Sequence, residues 1–477
     1  MEIKIKTKNM RICFAWLLLT LMCYSIYAMF IKTFKDGVEY DVLIYILSWF
    51  GIVLAMFIVI SWKWVTGSYI TAYTIVVLFL ILYGYGQTIM WAFGIHTDYE
   101  IGRGRLFDSY AVQSDDEIVN MLLFIYLCIL CFHLGALLCR KKTGSSGKIV
   151  SNERKIMLYV SCAVLVLCVI VLAPVIINNI KVALQGGYTA LFDSDEIENN
   201  PLIQISKEMF FPSLIGILIG SKYSKRAMTV CYLVFACYAV AYSTAGSRGS
   251  WFPYLVVLIW LHVKNCGGLQ KKNIFKIGIV ALLLMYILQF IKIDRSQGDL
   301  SELFLLSNFP LVDLIFEMGG SAAVTLISLE KQIVWPYTNS MLLSVLAAPT
   351  TRILDLLHME LVLPASWFSE KILHINWGSG YSIFAEVYSN FGVYIGPILM
   401  IIVGWAAGTL LYEEGEKNTL KIFIVACTLG VVVKLGRVAL IEITRSLFRG
   451  VLLYYVVIKV IAKLLRNKNI KEKKNDS

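Results

Sequence analysis

The chain has 477 residues, 58% of them hydrophobic and only 16% charged, where a soluble domain carries about 25% charge. Apolar runs of roughly 20 residues, the length that crosses a hydrocarbon core, recur from end to end and leave no stretch for a separate water-soluble domain. The formal charge of +11 falls in the connections between those runs. Nucleic-acid binding would need basic residues gathered with stacking aromatics on one folded surface, so it is excluded.

In chain order, hydropathy predicts helices over 12–32, 42–62, 69–92, 118–139, 155–177, 202–220, 227–243, 250–263, 273–291, 382–410, 419–441 and 448–465, about 12 spans in all. The first follows Lys4, Lys6, Lys8 and Arg11 but lacks a small-residue cleavage site, so it reads as a retained helix. With both termini cytoplasmic, roughly 27 of the 43 basic residues but about 7 of the 32 acidic ones lie inside, the bias of the positive-inside rule. The cysteines sit in apolar spans or at their cytoplasmic ends, so no outer disulfide is expected. Cys128 and Cys131 have only His133 nearby, short of the four converging ligands of a zinc site, and read as packing.

The chain thus divides into helices over 1–291, a long outer loop over 292–381, three helices over 382–465 and a basic cytoplasmic tail over 466–477. A loop of that length is usually functional. Its apolar pieces, Leu303–Leu306, Leu311–Phe316, Ala322–Leu329 and Met341–Ala348, are interrupted by Pro310, Gly319, Gly320 and Pro349 and are too short or broken to span. They are expected to form horizontal or re-entrant helices on the outer face, with Trp335, Tyr337, Trp367 and Trp377 at the membrane interface.

Several charges stand where a membrane disfavours them. The turn Ser243-Thr-Ala-Gly-Ser-Arg-Gly-Ser250 precedes an apolar run of only about 14 residues, short of the roughly 20 that span, which draws Arg248 below the outer surface. An arginine at that depth usually lines a polar cavity, and its planar fork suits a diphosphate. Arg295 and Arg352 are further candidates for an anion clamp. Lys434, Arg437, Glu442, Arg445 and Arg449 crowd the outer end of the eleventh helix, where positions 434, 437, 441 and 445 are spaced to share a face. Arg437 and Arg445 either line a cavity or pair with Glu442.

Two residues are candidates for proton transfer. Glu386, in the passage Gly380-Tyr-Ser-Ile-Phe-Ala-Glu-Val-Tyr-Ser-Asn-Phe-Gly392, is an acid at the mouth of a long apolar helix. His374 is the competing candidate, since histidine is the side chain best suited to proton transfer at physiological pH. His96 and His358 carry no spacing signal, and His133 and His262 read as packing residues.

The Thr244–Gly249 turn and the Gly380–Gly392 passage, set on either side of a long outer loop, resemble the Wzy-type oligosaccharide repeat-unit polymerases. That group is allied to the O-antigen ligases and the SEDS peptidoglycan polymerases. The resemblance implies an all-α, GT-C-like polytopic bundle in a bacterial cytoplasmic membrane. It further implies an inverting glycosyl transfer on the outer leaflet, with no cofactor and no metal. The growing glycan on undecaprenyl diphosphate would be the donor and one lipid-linked repeat unit the acceptor, with a chain-length regulator as a further partner. Arg248, helped by Arg295, would hold the departing diphosphate, while Glu386 or His374 would take the acceptor proton. A flippase for the same lipids is the main rival, although one asymmetric loop and no repeat argue against two matching transporter halves. An O-antigen ligase would share the chemistry.

Overall fold

A bilayer offers no water to backbone amides, so a chain that crosses it repeatedly must satisfy them internally, as helices do. The computed structural model describes residues 2–33, 39–108, 110–139, 151–186, 200–244, 251–265, 286, 309–335, 340–359, 362–375, 378–412 and 419–475. All regular structure among the described residues is helical. The elements are α1 (Glu2–Thr33), α2 (Tyr40–Thr66), α3 (Ala72–Trp91), α4 (Asp115–Leu137), α5 (Ser151–Gly186), α6 (Pro201–Gly220), α7 (Lys225–Thr244), α8 (Phe252–Asn265), α9 (Pro310–Gly319), α10 (Ala322–Glu330), α11 (Ser340–Leu346), α12 (Arg352–Leu356), α13 (Pro364–Trp367), α14 (Ile383–Leu410), α15 (Thr419–Val432), α16 (Leu440–Ser446) and α17 (Tyr454–Asn475). π-helical turns follow α13 (Phe368–Leu373) and α16 (Leu447–Leu453).

Local signals set the starts. Ser114 and Glu117 form a capping box, and Asp115, Asp116 and Glu117 put negative charge on the first turn of α4, where the helix dipole favours it. Asn200 accepts from the Leu202 amide at 2.9 Å, with Pro201 next in line to open α6.

The helix α4 is the central post: 89% of its most apolar stretch is buried, against 17% for α1. Around it stand α1, α2, α3 and α10, and α14 lies along it over the longest seam in the molecule. That seam is made by small residues. A Cβ at Gly135 would collide with the Ile401 carbonyl, one at Gly404 with the Phe132 carbonyl, and one at Gly408 would come within 2.9 Å of the Ala136 Cα. In lipid, where apolar burial gives helices little reason to associate, such close backbone approach supplies the packing attraction. A second group gathers α5, α6, α7, α15 and α17. Outward faces carry Leu18, Leu21, Met56, Phe57, Val166 and Ile170, all exposed, as a lipid-facing surface requires.

Among the described residues, nine helical stretches are long and apolar enough to cross a membrane, and α8 and α15 are shorter apolar helices. The chain is a multi-pass membrane protein. The predicted span 273–291 lies outside the described residues, apart from residue 286. One of the nine stretches, Pro310–Glu330, falls within the predicted outer loop. It is a pair of helices, α9 and α10, broken at Gly320 and Ser321. Every residue of α10 from Ala322 to Leu329 is buried, against α4 and α14. It is a core element where the sequence suggested a surface helix. Trp335 is likewise buried, edge-on to Trp367 and Tyr381, instead of lying at the interface. Tyr337 and Trp377 lie outside the described residues.

A candidate functional site at the α15–α16 bend

The predicted eleventh helix ends early. α15 stops at Val432, residues 433–438 form a turn, and α16 begins at Leu440. Positions 434, 437, 441 and 445 therefore do not share one continuous helical face. The cause is long-range. The extended residues entering α14 claim the carbonyls of the turn: the Tyr381 amide donates to the Arg437 carbonyl at 3.1 Å and the Ile383 amide to the Leu435 carbonyl at 3.4 Å. Gly436 lets the same turn pack against α3, since a Cβ there would lie 2.6 Å from the Tyr83 Cβ.

The passage from Gly380 to Gly392 is the mechanical partner of this bend. Ser382 caps α14 by accepting from the Phe384 amide at 3.2 Å. At Gly392, φ +69° and ψ −175° break the helix, a backbone state essentially closed to other residues. The short half so defined carries Glu386 and Asn390. The buried Glu386 accepts from the Ser340 hydroxyl at 3.2 Å and, through its other oxygen, from the Leu440 amide at 2.8 Å. Asn390 binds Ser340 reciprocally: its side-chain amide donates to the hydroxyl at 2.9 Å and its carbonyl accepts from the Ser340 amide at 2.8 Å. The N-cap of α16 is Ala439, which has no side-chain oxygen to offer. Glu386 supplies from another helix the anion that this amino terminus lacks. Thr444 ties the far side of α16 to α11 by donating to the Ser344 carbonyl at 2.8 Å.

What is held in place is a group of charges. Lys434 donates to the Tyr254 hydroxyl of α8 at 3.3 Å and lies 4.5 Å from the centre of its ring. Arg437 faces Tyr83 of α3, with Glu317 of α9 beside that tyrosine. Arg449, in the π-helical turn, pairs with Glu208 of α6 at 3.5 Å. Arg445 stands between Glu442, Arg449 and Glu208, and its Nε is buried with no hydrogen-bond partner among the described residues. Glu442 and Arg445 are one turn apart on α16.

The structure therefore places Arg437 in the bend and Arg445 on the helix that follows it, and connects Glu386 to that helix through the Leu440 amide. It leaves Arg352 and His374 apart: both are exposed and neither side chain is paired among the described residues. His374 has φ +55° and closes the π-helical turn before it. Arg248 and Arg295 lie outside the described residues. Sequence reasoning passes over Glu208, Glu317, Tyr83, Tyr254, Ser340 and Asn390. A usable signal existed for Glu208, an ionisable residue inside the predicted span 202–220. The hydroxyl and amide partners gave none, because they are ordinary until the fold brings them together.

Elsewhere the polar interior is structural. His133 sits buried between the Ser61 hydroxyl at 2.8 Å and the Tyr73 hydroxyl at 2.9 Å, as a packing residue. Glu100 knits the α3–α4 connection by accepting from Trp91 and Arg103, each at 2.8 Å. The ten described cysteines are free. Among the described residues no three His, Cys, Asp or Glu side chains lie where they could share a metal ion.

A family model described as O-antigen polysaccharide polymerase Wzy matches residues 12–469, nearly the whole chain. No curated protein and no solved structure shows a match.

Proposed function

The chain belongs to the O-antigen polysaccharide polymerase Wzy family, and on that premise we propose that it joins oligosaccharide repeat units carried on undecaprenyl diphosphate at the outer face of the cytoplasmic membrane. The donor is the growing glycan on its diphosphate lipid, the acceptor a single lipid-linked unit, and the transfer inverts the anomeric centre.

The observation that carries this reading is a set of basic side chains at the bend whose internal pairing is incomplete, the buried Arg445 Nε having no acceptor among the described residues. Lys434, Arg437, Arg445 and Arg449 are all partly buried inside a membrane bundle, and a basic side chain drawn into such a bundle is costly unless it is paired or lines a polar cavity. Their anionic neighbours Glu208, Glu317, Glu386 and Glu442 match them in number, but Glu386 is engaged by Ser340 and Leu440 and the Arg445 Nε has no acceptor among the described residues, so internal pairing offsets only part of that cost. An anionic ligand supplies the rest, and a diphosphate offers the paired oxygens that a guanidinium grips best. As the bond to the sugar breaks, charge accumulates on that diphosphate, and donors already aimed at it stabilise the transition state most. Arg248, Arg295 and Arg352 are proposed as further contacts to the lipid-linked substrate, and a chain-length regulator as a partner.

Deleting the gene in its host and separating the surface glycan by electrophoresis tests the reading. Single-repeat glycans are expected, with the ladder restored by the wild-type gene and not by R248A. Loss of lipid-linked intermediates from the outer leaflet would instead identify a flippase, and a normal polymer left unattached would identify a ligase.

A further inference from the structure

Glu386 and Glu442 lie close enough to feel each other's charge, but only one is open to a ligand. Glu386 is 1% exposed and both its oxygens are engaged. Glu442, on the helix that Glu386 pins, is exposed, and its carboxylate has no hydrogen bond or ion pair among the described residues. Charged groups surround it from every side: Lys434 from the bend, Arg445 from its own helix, Glu386 from α14, and beyond Arg445 the Arg449–Glu208 pair on the π-helical turn and α6. An exposed carboxylate among these charges is open to a ligand. One turn further along, the Arg445 Nε is a buried donor without an acceptor among the described residues. A free acceptor and a free donor side by side on one helix fit a ligand that has a hydroxyl proton to give and an anionic oxygen to receive.

We infer that Glu442 is the general base of the transfer and that Glu386 is a positioning residue, which fixes α16 so that Glu442 and Arg445 flank the reacting centre. The inference rests on the polymerase reading above. The Glu442 carboxylate takes the proton of the acceptor sugar hydroxyl. The oxygen's electron pair forms the new bond to the anomeric carbon of the donor. The bond from that carbon to the diphosphate oxygen breaks, and its electron pair leaves on the lipid diphosphate, toward which Arg445 donates. The proton now on the exposed Glu442 is lost to water. A base of this kind contributes about 10²–10⁴-fold to rate, and it works only while ionised, so turnover falls as pH is lowered.

The test uses full-length protein in native membranes, supplied with the lipid-linked repeat units that accumulate in a host lacking the gene. E442Q is expected to insert normally, to lose about 10²–10⁴-fold in kcat with little change in KM, and to lose the acid limb of the pH profile, while E442D recovers part of the rate. E386Q still accepts from the Leu440 amide, so it is expected to slow turnover but keep the acid limb. Three outcomes would overturn the assignment: wild-type turnover in E442Q, a raised KM with unchanged kcat in E442Q, or an acid limb lost in E386Q and kept in E442Q. If the wild-type protein itself fails to extend these units, it is the polymerase reading that falls, and the two failures remain distinct.

Discussion

The α4–α14 seam and the α15–α16 bend solve opposite problems inside one bundle. The seam is apolar and glycine-lined, and its helices meet carbonyl to Cα with no charge between them. The bend spends stability on exposed and partly buried charges, and it survives because contacts from two other helices hold it: the start and the Glu386 side chain of α14, and the Ser344 carbonyl of α11, which accepts from the Thr444 hydroxyl. In a membrane, rigidity comes from small residues and backbone contact, whereas polar function comes from charges that backbone contacts elsewhere keep in place.

The difference can be tested by asking whether a substitution harms turnover or folding. At the bend, R445A should lower turnover by about 10²–10³-fold, equivalent to about 2.7–4 kcal/mol of transition-state stabilisation, with unchanged amounts in the membrane. Glycan extension rates normalised to inserted protein would show it, and an unchanged rate would remove Arg445 from the site. At the seam, G404V should do the reverse. Overpacking costs about 1–3 kcal/mol, and the upper end applies here because the obstacle is the Phe132 carbonyl and not a side chain that can rotate. A lower melting temperature in detergent with normal specific activity is expected; unaltered stability would mean the seam is looser than drawn. G392A lies between the two regions. It forces a Cβ onto φ +69° and ψ −175° at a strain of about 1–3 kcal/mol, and because nothing lies within 4 Å of that Cβ, the loss is backbone strain alone. Modest drops in both stability and rate are expected, and a variant with neither would show that the break in α14 is held by its surroundings.

The spans were legible because the bilayer imposes a length and a polarity on each, and α1 to α7 and α14 lie where hydropathy puts them. The end of α15 was not. Val431, Val432 and Val433 continue the apolar pattern, but Tyr381 and Ile383, some fifty residues upstream, take the carbonyls of Arg437 and Leu435 just beyond the helix end, a contact with no local signature. Similarly, Pro310–Glu330 looked too broken to span because Gly319 and Gly320 interrupt it, but two short helices in sequence still bury a continuous apolar column against α3 and α4. At the site, the identity of the charged residues was readable from their cost in lipid. Which carboxylate is engaged and which is open was not, since that depends on Ser340 and Leu440 arriving from separate elements.

The splice between residues 381–383 and 435–437 is written entirely in peptide groups. Apart from Gly436, where a Cβ would meet Tyr83, side chains at those positions can change without removing its hydrogen bonds, but the number of residues between the splice and Leu440 cannot, because one inserted residue would rotate α16 by about 100° and carry Glu442 and Arg445 away from each other's present surroundings. Relatives of this chain should therefore vary in the letters of that segment and agree in its count.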